Sequence, residues 1–365
     1  RELLRTAAAD LLGVSSVTEV GEALTDIAEV TIDAALRVAR ARVVAADGGR
    51  ELTRVCVVAM GRFGGGELTY ASDADVMYVH DPLPGVDTGS ATQQAMAVVR
   101  ELARLLEVPA AEPPLKVDTD LRPEGRSGPM VRTLESYAAY YGRWSQVWES
   151  QALLRARPIA GDRELGTDFL ALVDPLRYPE GGPDGSAVLE IRKLKARMEA
   201  ERLPRGADPT LHTKLGRGGL SDVEWVVQLL QLRHAHEYPD LRTTRTLAAL
   251  DLVVAHGLVA ADDGAVLEHA WKLASRVRGM IMLVRGRGGD SLPSDLRVRG
   301  ALAEAMGFGS GSDDEAGDEE DGEEADPASD AEGADPEGPS EQLTDEYLRS
   351  TRRARAVMER IFYDD

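Results

Sequence analysis

The sequence predicts an α+β protein, and three observations carry the prediction. A glycine-rich segment, Gly-Arg-Phe-Gly-Gly-Gly-Glu-Leu at 61–68, joins two short apolar runs, Val-Cys-Val-Val-Ala-Met at 55–60 and Asp-Val-Met-Tyr-Val-His at 75–80, each with the length and composition of a buried strand. A further strand-like stretch, Lys-Val-Asp-Thr-Asp-Leu-Arg-Pro at 116–123, ends on a proline. Beyond residue 162 the apolar spacing turns almost wholly helical. The expected division is an α+β unit at 1–162, opened by helices, and a helical bundle at 163–365. A chain of 365 residues, 43% of them apolar, can build two or three cores of ordinary size.

The elements follow in order. Leu4, Leu11 and Leu12, then Ile27, Val30 and Leu36, fall at helical spacing and predict a helical pair over 1–46. Three consecutive glycines after the first strand permit a sharp turn and let peptide N–H groups approach an anion with no side chain in between. Helices are expected at 92–106 and at 134–154, the latter carrying Tyr137, Tyr140, Tyr141, Trp144 and Trp148 as a packing stripe. In the second half the helical segments are 187–203, 221–235, 244–256, 265–283, 296–308 and 343–362. Ser221 and Glu224 have capping-box spacing at the start of one of them.

Fifteen acidic residues and no basic ones fall in 313–341, so this segment alone accounts for most of the net charge of −21. With few large apolar residues it cannot offset its ordering entropy, and 309–341 is expected to be a disordered acidic insertion between two helices. The remaining charge pattern offers no continuous basic, aromatic-studded face, so a nucleic-acid substrate is not expected. Nothing approaches the roughly 20 apolar residues of a membrane span, and the first residues lack a signal-peptide pattern, so a cytoplasmic protein with no membrane contact is expected. Cys56 lies within the first strand and reads as a core residue. The six histidines show no zinc-site spacing.

The acidic residues carry the chemistry. Asp73 and Asp75 are two apart at the start of a strand, which puts both carboxylates on one side of the sheet beside the glycine turn. Magnesium takes a few hard oxygen ligands and completes its shell with water and substrate phosphates, so this pairing suits Mg²⁺ and a triphosphate. Asp118 supplies a third carboxylate, with Asp120 expected on the same face. Two metals among three carboxylates can stabilise both the attacking and the leaving oxygen of an in-line displacement at phosphorus. A Walker loop is excluded because no Gly-Lys-Ser/Thr closes the turn, and the glycine spacing does not match a dinucleotide fold. The expected nucleotide-binding set is Gly61, Arg62, Gly64, Gly65, Gly66, Ser72, Arg122, Arg126 and Lys214, with Asp73, Asp75 and Asp118 as catalytic and metal-holding residues.

These motifs, Gly-Arg-Phe-Gly-Gly-Gly-Glu-Leu-Thr-Tyr-Ala-Ser-Asp-Ala-Asp at 61–75 and Val-Asp-Thr-Asp-Leu-Arg-Pro-Glu-Gly-Arg-Ser-Gly at 117–128, resemble the bacterial glutamine synthetase adenylyltransferases, members of the DNA-polymerase-beta-like nucleotidyltransferase superfamily. The likeness continues through Trp-Ser-Gln-Val-Trp-Glu-Ser-Gln-Ala-Leu at 144–153 and Gly-Gly-Leu-Ser-Asp-Val-Glu at 218–224, so it covers most of the chain. The resemblance implies AMP transfer from ATP to a tyrosine hydroxyl of glutamine synthetase, with pyrophosphate released and with glutamine and a PII-type signalling protein as possible effectors. Such enzymes carry two tandem transferase units. This chain holds one, it looks more like the second, attaching unit, and its start at Arg1 fits an excised C-terminal half. Arg62 stands where lysine is usual, and Asp120 where arginine is frequent. Three other readings stay open: AMP removal by phosphorolysis, uridylylation of a PII-type protein, and a non-catalytic regulatory binding module.

Overall fold

In the computed structural model, residues 1–108, 114–309 and 338–363 are described. Helix α1 (Glu2–Leu11) leads to the long α2 (Val17–Ala46), which opens on a capping box in which Ser16 Oγ accepts from the Glu19 amide and Glu19 Oε2 accepts from the Ser16 amide at 2.7 Å. Strand β1 (Thr53–Ala59), the one-turn helix α3 (Gly61–Gly64) and strand β2 (Ala74–Pro82) follow, then helix α4 (Thr88–Leu106). Strands β3 (Val117–Asp118) and β4 (Val131–Thr133), helices α5 (Leu134–Trp144) and α6 (Val147–Leu153), and strand β5 (Arg157–Gly161) complete the sheet region. The remainder is helical: α7 (Arg163–Arg177), α8 (Gly185–Glu201), α9 (Leu220–His234), α10 (Thr246–Ala255), α11 (Ala261–Arg285), α12 (Leu296–Ala305) and α13 (Pro339–Tyr363).

The sheet is mixed. β1 pairs antiparallel with both β2 and β5, while β3 and β4 pair parallel to successive parts of β2. Its strands alternate as the period-two rule requires. Val55, Val57, Ala59, Val76 and Tyr78 face a core shared with α2 and α4, whereas Cys56, Val58, Met77 and Val79 face a second core shared with α5 and α7. Burial pushes the Cys56 thiol up to about 12, so it packs as a small apolar side chain. A third core, around Val226, Leu230, Trp271, Met280, Tyr347 and Phe362, belongs to the helical half. Side chains of this size each contribute about 1.5–3 kcal/mol when removed from water. Among the described residues no helix is long and apolar enough to cross a membrane.

Several local expectations differ from the structure. The strand expected at 116–123 is only Val117–Asp118, because Arg122 draws the chain beyond it into a compact turn. Strand β5 escapes a propensity reading through its Arg-Pro-Ile-Ala-Gly sequence, and Pro158 is tolerated because β5 is an edge strand. The helix expected at 134–154 breaks at Ser145, with Gln146 and Glu149 forming a new cap. That break leaves Trp144 exposed, while Tyr137 and Tyr141 are buried as expected. Ser221 and Glu224 form no capping box, since α9 begins at Leu220, two residues earlier than that motif requires. Residues 310–337 of the acidic insertion lie outside those described, and 339–341, expected within it, form the first turn of α13.

His80 is fully buried on β2, between the hydroxyls of Thr53 (3.0 Å) and Thr92 (3.2 Å). Burial lowers its pKa from 6.5 to about 4. Below pH 6.5 the unfolded chain therefore binds a proton that the folded chain refuses, and stability is lost as pH falls from 6.5 toward 4. The loss reaches at most about 3.5 kcal/mol at about 1.4 kcal/mol per pK unit. Urea titrations at pH 7 and pH 4.5 are expected to show a smaller drop in stability for His80→Asn than for the unaltered chain. Equal drops would reject the assignment.

Candidate active site

The turn after β1 is built on two glycines that no other residue can replace without movement. Met60 N–H donates to Asp75 O at 2.8 Å, closing the mouth of the β1–β2 connection. Gly61 then adopts φ +52°, and a Cβ there would lie 2.4 Å from Asp75 Oδ2. A Cβ at Gly64 would lie 1.8 Å from the Arg155 carbonyl oxygen. The first glycine brings the turn against an acidic side chain, and the second packs it onto the chain leading into β5.

The amides of this turn differ from the sequence expectation. Gly64, Gly65 and Gly66 N–H groups donate to Met60 O (2.7 Å), Gly61 O (3.1 Å) and Phe63 O (3.2 Å). They are thus spent inside the turn, and the amides left without an intrahelical acceptor are those of Gly61, Arg62 and Phe63. Ser72 likewise serves the chain locally, its Oγ accepting from Thr69 N–H at 3.0 Å.

Asp75 and Asp118 come together beside Gly61. Parallel pairing of β2 with β3 sets Asp75 opposite Asp118. Burial first, and the Asp118 charge second, push the Asp75 carboxyl up to about 6; Lys214 pulls it down, and Asp73 and Asp120 push further up. Asp73 lies exposed just before β2. Asp118 Oδ1 accepts from the Asp120 amide at 2.7 Å. Asp120 itself falls outside the strand and accepts from Arg126 Nε at 2.7 Å, so its carboxylate already has a cation.

The predicted cations separate into groups. Arg122 is buried and donates to Thr119 O (2.7 Å), Thr119 Oγ1 (2.8 Å) and Gly128 O (3.2 Å), which makes it the organiser of the 119–128 turn. Arg126 is 84% exposed on Asp120. Arg62 points away from the carboxylates into the helical half. Lys214 alone of the four acts on Asp75, from the 212–219 loop ahead of α9.

Sequence reasoning missed what holds that loop. Thr213 N–H donates to Asp290 O at 2.7 Å, His212 Nδ1 accepts from the Leu215 amide at 3.0 Å, and Asp222 Oδ2 accepts from Gly218 N–H at 2.6 Å. Asp222 also meets Lys195 at 2.5 Å and Arg355 at 3.1 Å, and both cations meet Glu199. It missed Glu67 as well, buried against Arg155 at 2.7 Å and the Thr246 hydroxyl at 2.9 Å. The acid after Gly-Gly-Leu-Ser, in the first turn of a helix, was the available signal for Asp222.

Among the described residues no three His, Cys, Asp or Glu side chains are already gathered as a metal cage. Magnesium is commonly held by one or two carboxylates with substrate phosphates completing its shell, so a full cage is not required. The all-oxygen donors of Asp75 and Asp118, with a carboxyl whose charge is opposed by its acidic neighbours, fit such an ion.

The family model for glutamate-ammonia ligase adenylyltransferase matches residues 1–172, and that for GlnD PII-uridylyltransferase matches 192–324. Proteins named bifunctional glutamine synthetase adenylyltransferase/adenylyl-removing enzyme are similar along the whole chain. The one from Streptomyces avermitilis is 53% identical over 100% of this chain and 35% of its own length. Those from Mycobacterium avium and Nocardia farcinica are 49% and 50% identical over 99% of this chain, and 34% and 33% of their own lengths. The chain therefore spans about a third of the length of the curated relatives it matches.

Proposed function

Because the chain belongs to the glutamate-ammonia ligase adenylyltransferase family, we propose that it transfers AMP from ATP to a tyrosine hydroxyl of glutamine synthetase, releasing pyrophosphate. The observation that carries this reading is the contact of Asp75 with the Gly61 turn, with Asp118 facing it from the next strand. That arrangement places carboxylates within reach of a triphosphate bound at the turn.

Asp73, Asp75 and Asp118 would hold Mg²⁺, which when bound supplies charge neutralisation at the phosphoryl oxygens. The chain's own groups do the rest. The first-turn amides of Gly61, Arg62 and Phe63 meet phosphate oxygens, and Lys214 reaches over from the helical half to the charge on the leaving pyrophosphate. The tyrosine oxygen attacks the α-phosphorus, the bond to the β-bridging oxygen breaks, and Asp118 takes the tyrosine proton. Glutamine and a PII-type protein are the proposed effectors, and ATP with glutamine synthetase implies a cytoplasmic setting. Uridylylation is not favoured, since relatives similar along the whole chain are named for adenylyl transfer and removal.

Mass spectrometry of glutamine synthetase incubated with this chain, ATP and Mg²⁺ tests the proposal. A gain of one AMP on one tyrosine is expected. No gain, with ADP instead formed from AMP-modified synthetase on adding phosphate, would assign the removing reaction.

A further inference from the structure

Arg62 sits in the glycine turn, where a phosphate contact is the obvious role, yet its side chain runs the other way. Its Nε donates to Glu67 O at 2.8 Å, one terminal nitrogen pairs with Glu224 of α9 at 3.2 Å, and the other reaches Ser275 Oγ of α11 at 3.4 Å. The guanidinium also lies 5.1 Å from the centre of the Trp271 ring. Only 13% of the side chain is exposed. A cation bonded by two helices and stacked on a buried tryptophan would have to leave all four partners to meet a nucleotide.

We infer that Arg62 is a positioning residue: through it, Glu224 and Trp271 of the helical half fix the Gly61–Phe63 turn against Asp75. This rests on the reading of the site as an ATP-using AMP transferase. Arg62 lies one residue from Gly61, where a Cβ would stand 2.4 Å from Asp75 Oδ2, so a shift of the guanidinium moves the turn on which the phosphates would rest. A small misplacement of bound groups lowers the rate of the chemical step while substrate affinity is largely kept.

The two roles predict opposite kinetics. If Arg62 positions the turn, Glu224→Gln and Arg62→Lys each lower kcat at least about fivefold with KM for ATP within about twofold. Arg62→Ala added to Glu224→Gln then costs little more, because both substitutions break one unit. If Arg62 is a phosphate ligand, Arg62→Ala raises KM for ATP at least about tenfold and Glu224→Gln leaves kcat unchanged. That result overturns the inference, as does any smaller effect of Glu224→Gln on kcat. Hydrogen exchange over residues 55–66 gives a second readout that needs no activity. Faster exchange of the turn amides in Glu224→Gln and Arg62→Lys supports the inference, and unchanged exchange overturns it. An unaltered chain that transfers no AMP would count against the proposed function, with the exchange result still deciding the role of Arg62.

Discussion

Asp75→Asn is expected to reduce AMP transfer by about 10²–10³-fold, the scale on which preorganised electrostatic groups act, while the protein melts at or above the temperature of the unaltered chain. Asparagine keeps the size of the side chain and its contact with Gly61, so the turn has no reason to move. It removes a charge that burial and Asp118 both oppose. Folding therefore loses a repulsion in the variant, and the activity loss cannot be assigned to unfolding. Asp120→Asn is the control. Its carboxylate is paired with Arg126 and lies outside β3, so its removal should leave transfer within about threefold, as exposed pairs contribute little. Transfer assays with radiolabelled ATP and parallel melts check both variants, and an Asp75→Asn enzyme retaining a tenth of its activity would reject the site.

Much of this was legible because the informative features are local. The two strands around the glycine turn, the Asp-x-Asp at the head of β2 and most of the helices follow from periodicity and from what glycine and proline permit. Asp118 could be paired with Asp75 only as an expectation, since register between strands 43 residues apart is set by the fold and not by either segment. The rest was not legible for one reason. Charge and proximity in sequence make Arg62, Arg122 and Arg126 candidate phosphate ligands, but a guanidinium takes whichever acceptors the tertiary structure offers. For Arg122 those are the carbonyls of its own turn, and for Arg62 they include Glu224 and Ser275 on helices more than 150 residues away. The same holds for the glycine amides, whose partners depend on whether the turn coils into a helical turn or stays open.

The largest stability effect is expected at Asp222, in the first turn of α9. Asp222 is fully buried, and Lys195 is 2% exposed beside it. Each ion is tolerable only because the other is present: Asp222 takes Lys195 and Arg355, and its second oxygen takes the Gly218 amide. Asp222→Ala leaves Lys195 with Glu199 alone, and orphans a buried N–H. Removing one member of a buried ion pair typically costs about 3–5 kcal/mol, and the same range is expected for Asp222→Ala as a lowered urea midpoint. Replacing Lys195 and Asp222 together by methionine and leucine is expected to cost less than Asp222→Ala alone, because no uncompensated charge is then left inside. The Gly218 turn has little room to adjust, since a Cβ there would stand 1.8 Å from the Thr351 carbonyl oxygen of α13. Loss of Asp222 should therefore also loosen the loop that carries Lys214 toward Asp75, seen as faster hydrogen exchange over 212–219 under conditions where the rest of the chain remains folded. A double variant less stable than Asp222→Ala would show that the ions stabilise by mutual attraction beyond their desolvation, and the account of this network as a positioning device with a large burial cost would be wrong.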